Sequence, residues 1–462
     1  SPEGHYENLD QIMLGGGLVN GSTPQAIYQL YQSPGTNQSG YGKFNNDQYN
    51  IRVDASLDIK NHALKLGFQY EQRVNSFVNY GPTGLWNLMR RLTNFHIEQL
   101  DLDNPELVSY DGHVDTILYP RKYDANSQTV FDENLRMAMG LPVDGLDYIE
   151  IDSYDISNST IEYYDKDGVR HTSTLDPNAL NVGLFSPDEL WNNGSSYINY
   201  SGFSYTGERL TEQPAFSDFF TATDENGMYT RPIGAFSPIY MAGYIQDQFA
   251  FRDLIFNVGV RVDRYDANQQ VLVDPFVLYP RYTVSEKEAL PFSFNTPENI
   301  GGDYVIYVDQ VDNPTEVVGY RDGYIWYNAE GIEIQDPNAL DVGYGISPAL
   351  VDPEQDRVSL ESFKDYDPQI NVMPRISFSF PISDEALFFA HYDVLTQRPT
   401  SNSYTSPATW YYFNFTGNTI NNPNLEPTKT IDYELGFTQR LTASSSLTLT
   451  AFYREMRNML QI

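Results

Sequence analysis

At 462 residues the chain exceeds what one small soluble domain needs, so the length points to several domains or to one large barrel. A formal net charge of -34, from 28 Lys plus Arg against 62 Asp plus Glu, excludes the basic stripe that nucleic acid requires. Zero cysteines remove disulfides, thiolate zinc sites and cysteine nucleophiles together. The acid is expected in loops that face water, because spread evenly it would repel anionic lipid headgroups. A 14% aromatic content, with Tyr 36 and Phe 26 against Trp 4, argues against disorder. It suits ring girdles at a membrane interface and equally a large soluble all-β protein. No run reaches the roughly 18 to 20 apolar residues of a membrane helix, so a membrane-spanning reading requires strands.

Residues 1–46 are a lead-in of loop and strand, with Gly15-Gly16-Gly17 and Gly40-Tyr41-Gly42-Lys43. The phosphate-loop spacing is not met, so these glycines read as loop. A hairpin follows over 47–75. Ile51, Val53, Ala55, Leu57 and Ile59 alternate with Arg52, Asp54, Ser56, Asp58 and Lys60, and then Leu64, Leu66, Phe68 and Tyr70 with Lys65, Gly67, Gln69 and Glu71. Period two with one charged face describes either a sandwich exterior or the wet interior of a barrel.

Residues 76–237 hold many turn pairs and a helical stretch from Leu85 to Leu100, but no long alternation. So long an excursion is rare in a compact soluble domain and common in the extracellular loops of barrels, which carry small hairpins of their own. A second hairpin spans 238–266, and a second excursion spans 267–367. That excursion repeats part of the first: Asp176-Pro177-Asn178-Ala179-Leu180-Asn181-Val182-Gly183 returns as Asp336-Pro337-Asn338-Ala339-Leu340-Asp341-Val342-Gly343, which predicts two similar loop subdomains. The third hairpin, 368–395, holds Pro374 inside a good strand, where proline normally argues for an edge. A third excursion, 396–427, precedes the last hairpin, 428–462, in which Ile431, Tyr433, Leu435 and Phe437 oppose Asp432, Glu434, Gly436 and Thr438. Four hairpins with tight links, separated by three long excursions, have the asymmetry of an outer-membrane barrel.

The run Asn422-Pro423-Asn424-Leu425-Glu426-Pro427-Thr428-Lys429-Thr430-Ile431-Asp432-Tyr433-Glu434-Leu435-Gly436 resembles the C-terminal half of TonB-dependent outer-membrane receptors, in the Oar-like form of Bacteroidota and myxobacteria. Tyr244-Ile245-Gln246-Asp247-Gln248 with Asn257-Val258-Gly259-Val260-Arg261-Val262-Asp263 is similar to the central barrel signature of the same family. The resemblance implies an all-β chain that is part of a large antiparallel transmembrane barrel with long extracellular loops. Asn422, Pro423, Leu425, Pro427, Tyr433, Glu434, Gly436, Asp247, Gly259, Arg261 and Asp263 would be its structural motif residues. It further implies a Gram-negative outer-membrane receptor that binds a ligand outside and moves it with energy from the TonB-ExbB-ExbD system. The plug and TonB box needed for that contact are not in this chain, and eight strands fall short of the 22 of a plugged transporter. The expectation is therefore a fragment of a longer protein. An export, adhesion or structural barrel of the Oar-like type, working with a surface lipoprotein or another membrane complex, is the alternative.

Signals for chemistry are weak. His391 and Asp393 share a strand face as a candidate dyad, with a solvated polar pair the commoner use. Asp165 and Asp167 are candidate calcium carboxylates in an acidic loop, without the ligand ladder of a calcium hand. No other cofactor and no enzyme activity are expected. Trp191, Trp326, Trp410, Tyr411 and Tyr412 are candidate ligand contacts, with the filling of loop cores as the alternative use of each.

Overall fold

The computed structural model describes residues 40–110, 113–398, 404–417 and 420–459; Gly15-Gly16-Gly17 lies outside them. Eight long strands form one antiparallel meander: β1 (Tyr41–Ile59), β2 (His62–Tyr80), β3 (Ile239–Phe251), β4 (Leu254–Asp266), β5 (Gln369–Ser383), β6 (Ala386–Gln397), β7 (Thr428–Thr442) and β8 (Ser445–Arg457). Each is hydrogen-bonded to the next in chain order. The strands of the first hairpin run past 47–75 at both ends, so Tyr41, Gly42 and Lys43 belong to a strand. Pro374 pairs with Val260 of β4, while the pairing of β5 with β6 begins one residue later, at Arg375↔Asp393. Its missing N–H is thus tolerated where the ladder to β6 starts.

The sheet has two unlike faces. Ile51, Val53, Leu57, Ile245, Leu435 and Leu449 stand exposed on the apolar one. An apolar sheet face of this extent, left uncovered by protein, is what lipid covers. Near the tight-turn ends the same face carries a row of rings: Phe249 stacks on Phe256 at 5.1 Å, Phe256 neighbours Phe378 at 6.1 Å, and Phe378 neighbours Phe388 at 6.0 Å. Rings at that level are the expected girdle.

The chain divides into two compact units, 1–45 with 76–235 and 46–75 with 236–462. The first holds the long loop. Helix α1 (Pro82–Leu92) and helix α2 (Val130–Met139) lie there, followed by a three-stranded meander over Tyr148–Asp155, Thr160–Tyr164 and Arg170–Thr174. Thr129 caps α2 by accepting from the Asp132 N–H, and Gly140 ends it at φ 74°, a backbone that a side chain would strain. Leu88, Ile97, Phe131, Leu135, Ile149 and Ile161 are buried in this unit. The helix predicted over Leu85–Leu100 stops at Leu92, because Asn94 turns left-handed at φ 63°.

Besides strands of the meander, the second unit holds a five-stranded loop sheet, ordered Glu333–Ile334, Ile325–Asn328, Val317–Asp322, Val305–Val308 and Ser347–Pro348. Ile306, Val308 and Tyr320 pack on one of its faces; Val305, Tyr307, Trp326 and Leu340 pack on the other. With both faces covered, Val305 to Val308 reads as continuously apolar rather than alternating. The repeated octapeptide folds alike in each unit. Asp176 Oδ1 accepts from the Asn178 N–H at 2.8 Å and Asp336 Oδ1 from the Asn338 N–H at 3.0 Å, and the Gly183 and Gly343 N–H groups donate to Asn181 at 2.8 Å and Asp341 at 2.7 Å. These are local Asx turns; the first follows three consecutive antiparallel strands and the second follows four.

The charge is segregated. Between 76 and 237 there are 25 Asp plus Glu against 9 Lys plus Arg, and between 267 and 367 there are 19 against 5. The two spans carry -30 of the -34, which leaves the rest of the chain close to balanced.

Candidate functional site

The polar face of the sheet in the second unit carries a row of charged groups. Register places in one row Lys65 of β2, Gln246 of β3, Gly259 of β4, Arg375 of β5, Asp393 of β6, Asp432 of β7 and Arg454 of β8. A cavity of about 750 Å³ lies over part of it, lined by Arg52, Lys65, Tyr244, Gly259, Arg261 and Arg375 among others. Arg454 donates to Asp432 at 2.6 Å, and Arg52 to Asp54 at 2.6 Å. His391 pairs with Glu434 at 3.2 Å across the strand gap and not with Asp393, so the candidate dyad is not formed.

Nearer the loop ends, Arg261 donates to Asp263 at 2.7 Å and to the Tyr240 hydroxyl at 2.7 Å, and that hydroxyl donates to Asp263 at 2.5 Å. Arg398, just past β6, lies over the Tyr240 ring at 4.2 Å and donates to Glu71 of β2 at 3.2 Å. Arg73 donates to the same buried carboxylate at 2.9 Å. The arginine thus bridges from β6 to β2 across three intervening strands.

The motif residues take structural places. Gly259 floors the cavity, and Arg261 and Asp263 build the tyrosine network. Asp247 shares the apolar face with Leu64, its register partner, and bonds His62 at 2.7 Å close to the tight turn. Tyr433 stacks between Tyr392 at 5.0 Å and Tyr453 at 6.1 Å. Gly436 makes room for the Phe389 ring of β6, which lies where a Cβ would stand. Asn422 accepts from the Asn424 N–H at 2.9 Å, Pro423 and Pro427 are buried, and the Leu425 carbonyl accepts from Gln369 at 3.4 Å, which fixes the entry into β7.

Of the candidate ligand rings, Tyr411 and Tyr412 meet edge-on at 5.0 Å, and each tryptophan packs on a ring outside the set. Trp191 is buried against Tyr200, Trp326 against Tyr307, and Trp410 near Phe363, while Tyr412 is buried edge-on to Tyr411. Four of the five therefore pack loop cores, and Tyr411 alone is half-exposed, with Arg357 over its ring at 4.8 Å. Asp165 serves its own turn: it accepts from the Asp167 and Val169 N–H groups at 3.0 and 2.9 Å and from His171 at 2.8 Å. The His171 bond, followed by the Val169 amide, holds this carboxyl below its ordinary pKa. Among the described residues no three acidic or histidine side chains converge as a metal site would require, at Asp165 and Asp167 or elsewhere.

Sequence reasoning missed the buried polar networks that hold the loops. In the first unit, Asp132 accepts from Arg136 at 2.6 Å, Gln128 at 3.0 Å and the Asn94 N–H at 2.8 Å, and its carboxylate stands 3.3 Å from His96. Burial, opposed by Asp132 and reinforced by Arg136, holds the His96 pKa below its ordinary value. In the second unit, Asp274 joins Arg321 and Arg281, and the Arg321 guanidinium lies 4.9 Å from Phe276 and 5.4 Å from Trp326. Gln128 and Arg136 each stand four residues from Asp132, but Asn94 and His96, like Arg321 with Asp274, come from far along the chain and leave no local signal.

Comparison with known proteins gives one family model, described as TonB dependent receptor-like, beta-barrel, which matches residues 8–462. No curated protein matches the sequence. Among solved structures the chain is similar to the copper transporter OprC, with TM-score 0.30 and 7% identity over 90% of this chain and 31% of that one. It is also similar to a double mutant of the Serratia marcescens hemophore receptor HasR in complex with its hemophore HasA and heme, with TM-score 0.26 and 9% identity over 90% of this chain and 40% of that one. A third is the alcaligin outer-membrane receptor FauA from Bordetella pertussis, with TM-score 0.24 and 9% identity over 91% of this chain and 38% of that one. The chain spans about a third to two fifths of the length of these structures.

Proposed function

The chain belongs to the TonB-dependent receptor-like β-barrel family, an outer-membrane family of Gram-negative bacteria, and on that premise we propose that it is the barrel part of a receptor that captures a ligand with its outer loops and passes it across the outer membrane. Energy would come from TonB-ExbB-ExbD through a plug and TonB box elsewhere in the protein. The observation that carries this reading is the two-faced meander, exposed and apolar on one side and charged on the other, with nearly all the net charge in folded outer loops. The Asn422 to Gly436 motif supports placing it in the Oar-like branch. In the second unit Tyr411 and the acidic loop surface are the proposed contact area, with Trp326, Trp410 and Tyr412 as loop packing; in the first, Trp191 packs its own acidic loop. The burial of those four rings also favours a second reading, in which the loops are rigid surface domains of an export or adhesion barrel that docks a lipoprotein or another membrane complex.

In-cell cross-linking of the intact native protein separates the two. Capture of TonB is expected under the transport reading. Absence of TonB, together with loss of surface lipoproteins from a deletion strain, would favour the second.

A further inference from the structure

The two long loops repeat one β-meander, and the copies differ at an exposed turn. In the first unit the strands Tyr148–Asp155, Thr160–Tyr164 and Arg170–Thr174 precede the repeated octapeptide; in the second, Val305–Val308, Val317–Asp322 and Ile325–Asn328 do so, with one short strand more. Between the second and third strands each copy has an Asp-Gly pair with its glycine left-handed, Asp167-Gly168 at φ 74° and Asp322-Gly323 at φ 54°. Val169 follows the first pair and Tyr324 the second. Since valine closes the equivalent turn, the hairpin itself does not call for a ring.

Tyr324 is 76% exposed, and Phe276, edge-on to it at 5.5 Å, is 47% exposed. Beneath them lies a fixed base. Buried Asp274 accepts from the Phe276 N–H at 2.9 Å and pairs with the Arg321 guanidinium, which donates to the Gly323 carbonyl at 2.8 Å and lies 4.9 Å from the Phe276 ring. Trp326 backs Phe276 at 5.5 Å. One buried ion pair thus holds the backbone beside both rings. Rings fixed before contact lose little entropy on binding, and such anchors carry most of the energy of protein interfaces.

The setting of the tip is anionic. Each of the five cations between 267 and 367 has a partner inside the unit: Arg281 and Arg321 share Asp274, Lys364 pairs with Asp367, Lys287 bonds Thr296, and Arg357 lies over Tyr411. The same span holds 19 acidic residues, and the exposed Asp322 adjoins the ring pair in the turn itself. In the first copy the turn carries cations instead, with Lys166 and Arg170 exposed about Val169. An aromatic face attracts a cation, and a negative field steers one toward it.

We propose that the tip formed by Phe276 and Tyr324 anchors a docking surface for a basic polypeptide segment, an Arg or Lys of which stacks on the tyrosine ring while the surrounding carboxylates meet its other cations. The inference rests on the outer loops being the contact area and names the chemistry of what they hold. It does not depend on TonB.

The test is fluorescence anisotropy of a labelled peptide of alternating Arg and Gly, titrated with the intact protein in nonionic detergent. Saturable binding that salt weakens is expected, with none for a peptide of alternating Glu and Gly. Tyr324→Val, which gives the turn the residue of the first copy, should weaken binding about tenfold, and Tyr324→Phe should retain it, because the ring carries the contact. Val169→Ala in the first unit should leave it unchanged. Equal affinity in the native protein and in Tyr324→Val would overturn the proposal and still leave the acidic loops as a contact area. Absence of saturable peptide binding would also overturn it, and Tyr324-dependent retention on an immobilised neutral oligosaccharide would then identify a different occupant.

Discussion

Asp132→Ala is expected to cost the first unit about 3 to 5 kcal/mol, the usual cost of removing one partner of a buried ion pair. Asp132 and Arg136 are both fully buried, and the carboxylate is the acceptor for Arg136 Nε, for Gln128 and for the Asn94 N–H. Without it the guanidinium keeps only the Asp147 carbonyl at 2.8 Å and a long contact to Asn94 at 3.4 Å, both neutral acceptors. Asn94 also serves the Ile149 backbone in both directions, accepting from its N–H at 2.9 Å and donating to its carbonyl at 2.8 Å. The damage therefore spreads from α2 to the meander. Against a typical domain stability of about 5 to 15 kcal/mol, a loss of this size is severe. Hydrogen exchange at the Ile149 amide should report it, rising by orders of magnitude. The apolar pair Asp132→Leu with Arg136→Met should recover most of the loss, because no charge is then left buried alone. Unchanged exchange in the single variant would show that the network carries little of the fold.

Leu435→Arg carries the second large expected effect. Leu435 is 55% exposed, pairs with Ala390 and Ala451, and sits midway along β7 on the apolar face. If that face meets lipid, arginine at the midplane costs about 2 to 4 kcal/mol. Thr450→Arg, one residue from Ala451 and on the polar face, should stay within about 0.5 kcal/mol. Urea-induced unfolding of the protein refolded in lipid vesicles measures both. If the face met water instead, the two substitutions would cost the same.

The barrel strands were legible because strand period is a local property. Ile51 to Ile59 and Ile431 to Phe437 show their faces without help from any partner. The repeated octapeptide was legible for the same reason: an Asx turn is built from residues two apart. Register was not legible. Alternation puts Lys65 and Arg375 on polar faces, but only pairing through β3 and β4 puts them in one row beside Gly259. Burial of the rings was equally hidden, since Trp326 and Tyr411 look alike in sequence, and one lies in a sheet core while the other is half-exposed. Helix length in the first loop was overestimated because the apolar pattern continues past Leu92, whereas Asn94 is drawn out of the helix to serve Ile149.

The most direct test of the central claim, a barrel whose long loops face outward and whose tight turns face the periplasm, is single-cysteine labelling of whole cells. The sequence contains no cysteine, so each introduced thiol in it is read against a clear background. Tyr324→Cys replaces a loop residue that is 76% exposed, and Ser444→Cys lies in the tight turn between β7 and β8. A membrane-impermeant maleimide should label the first in intact cells and the second only after the outer membrane is opened. Equal labelling of both in intact cells, or recovery of the protein in the soluble fraction, would contradict the account.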